Sequence, residues 1–165
     1  MRVEIAYYSM DGNLEIACSR LADELRFRGA EVRVSRLVCT KPYPASGPLK
    51  FLAGGRAALT NEEPALEPYE LDELADVVVL GTPVWAGRVA PALNTLLREH
   101  DLSACVVAAV ISSASGNSDS CARDLAEKLG RPLSVLPVLP CRNPKGGQDE
   151  GFASRVATFA AALVE

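Results

Sequence analysis

Apolar and polar positions along this chain follow two spacings in turn, one typical of strands and one typical of helices. Apolar residues three and four positions apart predict amphipathic helices, because such residues share one helix face. These helices are predicted within Leu14–Leu25, Pro91–Leu97, Asp119–Leu129 and Phe152–Leu163. Short apolar or alternating runs between them predict five strands: Val3–Tyr8, Glu31–Leu37, Asp76–Leu80, Ala104–Ile111 and Leu133–Leu139. This alternation predicts a parallel sheet with helices on both faces.

The character of each strand predicts its place in the sheet. The first, third and fourth strands are apolar almost throughout, which is typical of central strands. The second strand alternates apolar with charged or polar residues, and the fifth contains Pro137, which cannot donate an N–H to a neighbour and so favours an edge. Placing these two strands at the edges gives the order 2-1-3-4-5. We therefore expect a three-layer α/β sandwich with a five-stranded parallel sheet.

That strand order also predicts where a ligand binds. Ligands of open parallel sheets bind beyond the carboxyl ends of the strands, at the point where the strand order reverses. In the order 2-1-3-4-5 this point lies between strands one and three. The segments that leave strands one, three and four here are Ser9–Asn13, Thr82–Arg88 and Ser112–Ser118.

The connection between strands two and three is longer than a simple crossover needs. It runs over about 40 residues, from Val38 to Ala75, and connections of this length are usually functional or structured. Pro48–Leu59 within it has the pattern of a helix, although Gly54 and Gly55 each weaken a helix by about 1 kcal/mol. A lid, a subunit contact and a decorated crossover are all consistent with this pattern.

Composition narrows the class of protein. A chain of 165 residues with 48% apolar residues predicts a single folded domain over residues 1–165. No apolar run approaches the roughly 20 residues that span a bilayer, and we expect a cytoplasmic protein with no membrane contact. The net charge of -4 without a basic stripe argues against nucleic-acid binding. Five widely spaced cysteines without a C-x-x-C pair are expected to be reduced, small apolar residues.

Local chemistry leaves alternatives open at the first two loops. Ser9–Asn13 enters a helix N-terminus, where unpaired N–H groups attract phosphate, but Asn or Asp at such a place is also an ordinary helix cap. Trp85 is the only tryptophan, and either core packing or a surface that stacks on a planar ligand explains it. The third loop is small and polar, and it offers hydroxyl and N–H groups.

His100 lies at a predicted helix C-terminus, where a cation is favoured, and we expect it to be structural.

With these motifs the chain resembles the flavodoxin-like family, especially its short single-domain FMN-binding and NAD(P)H-dependent reductase-like members. The resemblance rests on Ile5–Ser9 with Gly12-Asn13, on Gly81–Gly87 with Ala90-Pro91, and on Ser112–Gly116. It implies that one group binds the FMN phosphate: Ser9, Met10, Asp11, Gly12, Asn13 and Leu14. It implies that a second group contacts the ribityl chain and ring: Thr82, Pro83, Val84, Trp85, Ala86 and Gly87. Lining the other edge of the ring would be Ser113, Ala114, Ser115 and Gly116.

Two positions depart from that family's phosphate loop, which normally carries hydroxyl residues where this chain has Asp11 and Leu14. Leu14 removes a donor, and Asp11 places a carboxylate beside a dianion, which costs about 1 kcal/mol at a few ångströms in water-like surroundings. An outward-turned Asp11, or Arg88 leaning over the phosphate, would offset that repulsion. A chain that binds FMN weakly or not at all is the alternative.

The resemblance implies a redox protein whose flavin carries the electrons. By this resemblance the protein is expected to act either as an electron carrier with a redox partner protein, or as a reductase that takes electrons from NAD(P)H to a small acceptor such as a quinone. Because only Trp85 is available to cover the ring, one ring face is expected to be open to a substrate or a second subunit, which favours a reductase and a homodimer. A flavin-free binding or regulatory module is the competing class. A phosphoacceptor receiver is disfavoured by Gly81-Thr82-Pro83, and a hydrolase by the absence of a G-x-S-x-G elbow.

Overall fold

Six strands form the sheet, five of them parallel. The computed structural model describes residues 1–165. Its strands are β1 (Arg2–Tyr8), β2 (Glu31–Leu37), β3 (Val77–Trp85), β4 (Arg88–Val89), β5 (Val106–Ser112) and β6 (Val138–Cys141). The parallel strands follow the order β2-β1-β3-β5-β6, and the two-residue β4 pairs antiparallel with β3. The predicted order of the five parallel strands is therefore confirmed, and β4 is an addition that the sequence pattern did not predict.

Five helices cover the two faces of this sheet. They are α1 (Asn13–Phe27), α2 (Pro48–Leu59), α3 (Pro91–Glu99), α4 (Asp119–Lys128) and α5 (Phe152–Val164). One core contains Ile5 and Tyr7 of β1 together with apolar residues of α1 and α5. The other contains Ala6 and Tyr8 with apolar residues of α3 and α4. Successive residues of a strand point to opposite faces, so β1 contributes to both cores. None of the five helices combines the length and the apolar character needed to cross a membrane.

The last strand lies further along the chain than the sequence pattern predicts. A strand was expected over Leu133–Leu139, but Leu133–Val135 forms a 3-10 turn and the strand runs from Val138 to Cys141. Pro137 has no N–H to donate, and its carbonyl accepts from the Ala109 N–H at 2.9 Å just before pairing begins. The strand nevertheless lies at the edge that the proline predicted.

The long connection contains the helix that its pattern predicts, with the bounds Pro48–Leu59. Helix α2 lies against β3 and β4, on the segment that carries Trp85. The rest of the connection ties back to the body of the protein, for example through a bridge between Cys39 and Leu66.

All five cysteines are free and buried, as expected for small apolar residues. Burial raises the pKa of Cys121 and of Cys141 to about 12, because the charged thiolate is poorly solvated there. Neither thiol is therefore poised for nucleophilic chemistry.

Candidate functional site

Three connections meet at one edge of the sheet, where β1, β3 and β5 end. Strand β1 is the parallel neighbour of β3, and β3 is the parallel neighbour of β5, so their carboxyl ends lie side by side. After β1 the chain turns to α1 on one face of the sheet, whereas after β3 it turns to α3 on the other. This change of face is the topological switch point that the strand order predicted.

The first connection is a tight turn that satisfies part of its own hydrogen bonding. Ser9 is buried, and its Oγ accepts from the Gly12 N–H at 3.0 Å. Asp11 is exposed, and its Oδ1 accepts from the Asn13 N–H at 3.0 Å. Gly12 precedes α1 with φ of 89°, a left-handed conformation that a glycine adopts without strain. Two N–H groups that an anion would otherwise bind are thus occupied by oxygens of this chain.

The next two N–H groups of α1 are free. Those of Leu14 and Glu15 have no acceptor, because the first residues of a helix lack a carbonyl four positions earlier within the helix. The helix dipole adds partial positive charge at the same point. This end of α1 therefore keeps anion-binding capacity even though Asp11 and Ser9 cap the turn.

The second connection is more regular than the loop that the sequence indicated. Strand β3 continues through Thr82 to Trp85 and returns as β4, so that only Ala86 and Gly87 form the turn. These two residues have φ values of 51° and 77°, the left-handed pair typical of a tight hairpin. The buried Thr82 Oγ1 accepts from the Ala90 N–H at 2.9 Å and donates to the Pro83 carbonyl at 2.9 Å. Its hydroxyl therefore holds the hairpin to the start of α3.

Trp85 is half-buried in a small aromatic cluster. Its ring meets Tyr8 and Tyr43 edge-on, with centroids 5.6 Å and 5.3 Å away. On another side it lies against Gly54 of α2, where an added Cβ would come within 3.1 Å of the indole. Burial raises the pKa of Tyr8 to about 12. Trp85 thus packs against its neighbours and still keeps part of its surface exposed.

The third connection carries a hydroxyl without a partner. The Ser113 N–H donates to the Cys141 carbonyl at 3.1 Å, but its buried Oγ makes no hydrogen bond. A buried hydroxyl left unpaired costs about 1–3 kcal/mol. The exposed Ser115 Oγ accepts from Asn117, and the exposed Ala114 carbonyl accepts from Arg142 at 3.1 Å. Gly116 follows with φ of 82°.

The structure adds two basic residues that the sequence did not indicate. Lys145 lies in the 3-10 turn Pro144–Gly146 after β6, and its Nζ donates to the Asp11 carbonyl at 3.0 Å. Arg36 of β2 donates to the Ser9 carbonyl at 3.3 Å. Because parallel strands all end at one edge, a correct placement of β6 would have brought Lys145 into consideration.

Arg88 does not approach the first connection, contrary to one of the two arrangements considered from the sequence. Its guanidinium pairs with Asp124 of α4 at 3.4 Å, while the Val89 N–H donates to the same carboxylate. Arg88 therefore fixes the β3–β4 hairpin to α4. The other arrangement, an outward-turned Asp11, is not seen either: the side chain is exposed, but its Oδ1 accepts from the Asn13 N–H within the turn.

No protein-family model matches the sequence. Among curated proteins, the chain is similar to an NAD(P)H dehydrogenase (quinone) of Caulobacter vibrioides, with 29% identity over 89 residues. That match covers 54% of this chain and 41% of the relative, so the chain matches less than half of the relative's length.

Solved structures resemble the chain over nearly its whole length. A flavoprotein from Lactobacillus acidophilus, solved in complex with FMN, has a TM-score of 0.66 at 20% identity. The match covers 84% of this chain and 89% of the flavoprotein chain. Flavodoxin 2 from Bacillus cereus has a TM-score of 0.62 at 18% identity, and the match covers 99% of this chain and 98% of the flavodoxin. A Streptococcus pneumonia flavodoxin has a TM-score of 0.61 at 16% identity with the same coverage. The fold is therefore flavodoxin-like.

Proposed function

We propose that the protein binds FMN where β1, β3 and β5 end, and uses it to transfer electrons. In this proposal Ser9–Leu14 binds the phosphate, Thr82–Gly87 contacts the ribityl chain and ring, and Ser113–Gly116 lines the opposite edge of the ring. The bound flavin supplies the redox chemistry, and the protein supplies binding and orientation.

The observation that carries the proposal is the unpaired Ser113 Oγ just beyond the carboxyl end of β5, the strand next to β3. A planar ligand rich in oxygen and nitrogen would give that hydroxyl a partner and remove the cost of leaving it unpaired. The free N–H groups of Leu14 and Glu15 supply donors for a phosphate at the neighbouring connection. The residues present therefore fit both ends of FMN.

Within this proposal, a reductase of small acceptors is favoured over a one-electron carrier. Trp85 is held edge-on by Tyr8 and Tyr43, and the third connection has no aromatic residue to cover a second ring face. An open face gives NAD(P)H and a quinone-like acceptor access to the ring. The similarity to the Caulobacter vibrioides quinone dehydrogenase supports the same substrates.

The homodimer expected from the sequence also stays a proposal. Leu49, Phe51 and Leu52 of α2 expose 65%, 77% and 69% of their surface. Exposed apolar side chains grouped on one short helix are typical of surfaces that contact another protein.

A flavin-free binding module is the second candidate, and the first connection favours it. Ser9 and Asp11 already accept from the Gly12 and Asn13 N–H groups, so that a phosphate competes with the chain's own oxygens. The carboxylate of Asp11 also repels a dianion.

Titration of the apo protein with FMN separates the two candidates. FMN binding predicts saturable quenching of flavin fluorescence, and the reductase predicts oxidation of NADH or NADPH that depends on FMN and a quinone. A stable semiquinone without turnover would instead support a carrier with a redox partner protein. No saturable quenching would rule out the FMN proposal and leave the binding module.

A further inference from the structure

Lys145 lies across the turn that we propose binds the phosphate. Its backbone N–H donates to Asn13 Oδ1 at 3.1 Å, and its ammonium donates to the Asp11 carbonyl at 3.0 Å. A Cβ added at Gly12 would lie 3.5 Å from the ammonium nitrogen and 3.6 Å from Cδ of the same side chain. Both the main chain and the side chain of Lys145 are thus fixed against this turn.

The charge of Lys145 is not used by the protein itself. No carboxylate lies within ion-pair distance of its ammonium, whereas Arg36 nearby pairs with Glu15 at 3.6 Å. A lysine ammonium has three N–H donors, and Lys145 commits one of them to a carbonyl. Two donors and a full positive charge are therefore left for a ligand.

The first connection needs such a charge. Asp11 lies within the turn and Glu15 in the first turn of α1, so two carboxylates flank the place where a dianion would bind. Leu14 provides no hydroxyl to replace the donors that Ser9 and Asp11 occupy. A cation that contacts the turn offsets this repulsion, because charge-assisted hydrogen bonds to phosphate are stronger than neutral ones.

We propose that Lys145 binds the phosphate of the flavin and thereby selects FMN over riboflavin, which has no phosphate. The inference rests on the proposed FMN function and names the residue that decides which flavin is bound. Arg36 does not replace Lys145, because its guanidinium already contacts Glu15 and the Ser9 carbonyl.

The test compares dissociation constants for FMN and riboflavin, measured by quenching of flavin fluorescence. Lys145→Met is expected to raise the FMN constant roughly tenfold, as loss of one exposed charge-assisted contact predicts. The riboflavin constant should stay unchanged, and added salt should weaken FMN binding less in this variant than in the wild type. Lys145→Arg keeps the charge and should retain most of the preference for FMN.

Lys128→Met is the matched control, because it removes the same charge from the end of α4, where Lys128 contacts Asn61 and Asp124. It should bind both flavins as the wild type does. The inference is overturned if Lys145→Met keeps its FMN affinity, or if FMN and riboflavin lose affinity equally, which would assign Lys145 a structural role in the turn.

The same titration distinguishes this inference from the proposed function. If the wild type and Lys145→Met bind FMN equally well, the role of Lys145 is overturned and the proposed FMN site is retained. A wild type that binds neither flavin overturns both.

Discussion

Glu4 is a carboxylate inside the sheet, at the centre of β1. It is fully buried, and its Oε1 accepts from the Ser35 hydroxyl at 2.8 Å. Its Oε2 has no hydrogen bond of good geometry, although Arg33 Nε lies 3.3 Å away. Burial raises the pKa of Glu4 above the usual value of 4.5, and the Ser35 hydrogen bond and the Arg33 charge offset only part of that effect.

This raised pKa predicts a pH dependence of stability. The folded protein holds the proton of Glu4 more tightly than the unfolded chain, so the contribution of Glu4 is fully present below pH 4.5 and is lost as pH rises through the folded pKa. Glu4→Gln keeps an oxygen for Ser35 and cannot ionise. We therefore expect the free energy of unfolding of Glu4→Gln, measured in urea, to rise relative to that of the wild type as pH increases from 4.5 to neutral.

Glu31→Gln is the control, because Glu31 is an exposed carboxylate at the start of the edge strand β2. The unfolding free energy of Glu31→Gln should follow that of the wild type across the same pH range. Parallel curves for the wild type and Glu4→Gln would show that Glu4 does not carry the effect.

Contacts between residues that are far apart in the chain could not be predicted from the sequence. Lys145 and Asp11 are far apart in the chain, and so are Tyr43 and Trp85, yet each pair is in contact. Hydrophobic spacing reports which face of an element is buried and carries no information about such long-range partners. For this reason the sequence offered Arg88 as the cation near the first connection, whereas in the structure Lys145 contacts that turn.

At the level of elements, α2 explains why two adjacent glycines occur inside a helix. Gly54 is buried against Trp85, and a Cβ there would meet the indole ring at 3.1–3.4 Å. At Gly55 the nearest atom to an added Cβ is Ala86 Cβ at 3.9 Å, an ordinary contact. One glycine therefore makes room for the aromatic cluster, and the other has no such packing reason.

Alanine at these two positions should have different effects. Gly55→Ala is expected to raise the free energy of unfolding by up to about 1 kcal/mol, because alanine favours a helix and loses less chain entropy than glycine. Gly54→Ala should gain less or lose stability, and it should move the indole. Since Trp85 is the only tryptophan, its fluorescence emission reports that movement directly.

Each of these variants serves as the control for the other, as both make the same change on the same helix. An emission spectrum that shifts equally in both, or in neither, would contradict the contact between α2 and Trp85.

The predictions for elements succeeded where the hydrophobic pattern was regular. The bounds of α2 and the order of the parallel strands follow from spacing and from the position of polar residues. The last strand was misplaced because Leu133–Leu139 is apolar but contains Pro137, and pairing begins only after that residue. Strand β4 was missed because two residues, Arg88 and Val89, are too few to show a period.

For the molecule as a whole, the position of the candidate site could be predicted, but the hydrogen bonds that its residues make could not. The strand order alone brings the ends of β1, β3 and β5 together. It does not reveal that Asp11 and Ser9 occupy two donors, that Thr82 is used within the hairpin, or that Ser113 Oγ lacks a partner. These details depend on side-chain rotamers and on segments brought together only by folding.

The most direct test of the FMN site is to follow backbone amide chemical shifts by NMR as FMN is added to the apo protein. We expect the largest changes to cluster in Ser9–Leu14, Thr82–Gly87 and Ser113–Gly116, with Lys145 among them. The cavity of about 280 Å³ lined by residues such as Leu97, Asp101 and Arg131 should be unaffected. Changes confined to that cavity, or no changes at saturating FMN, would contradict the site proposed at the carboxyl ends of β1, β3 and β5.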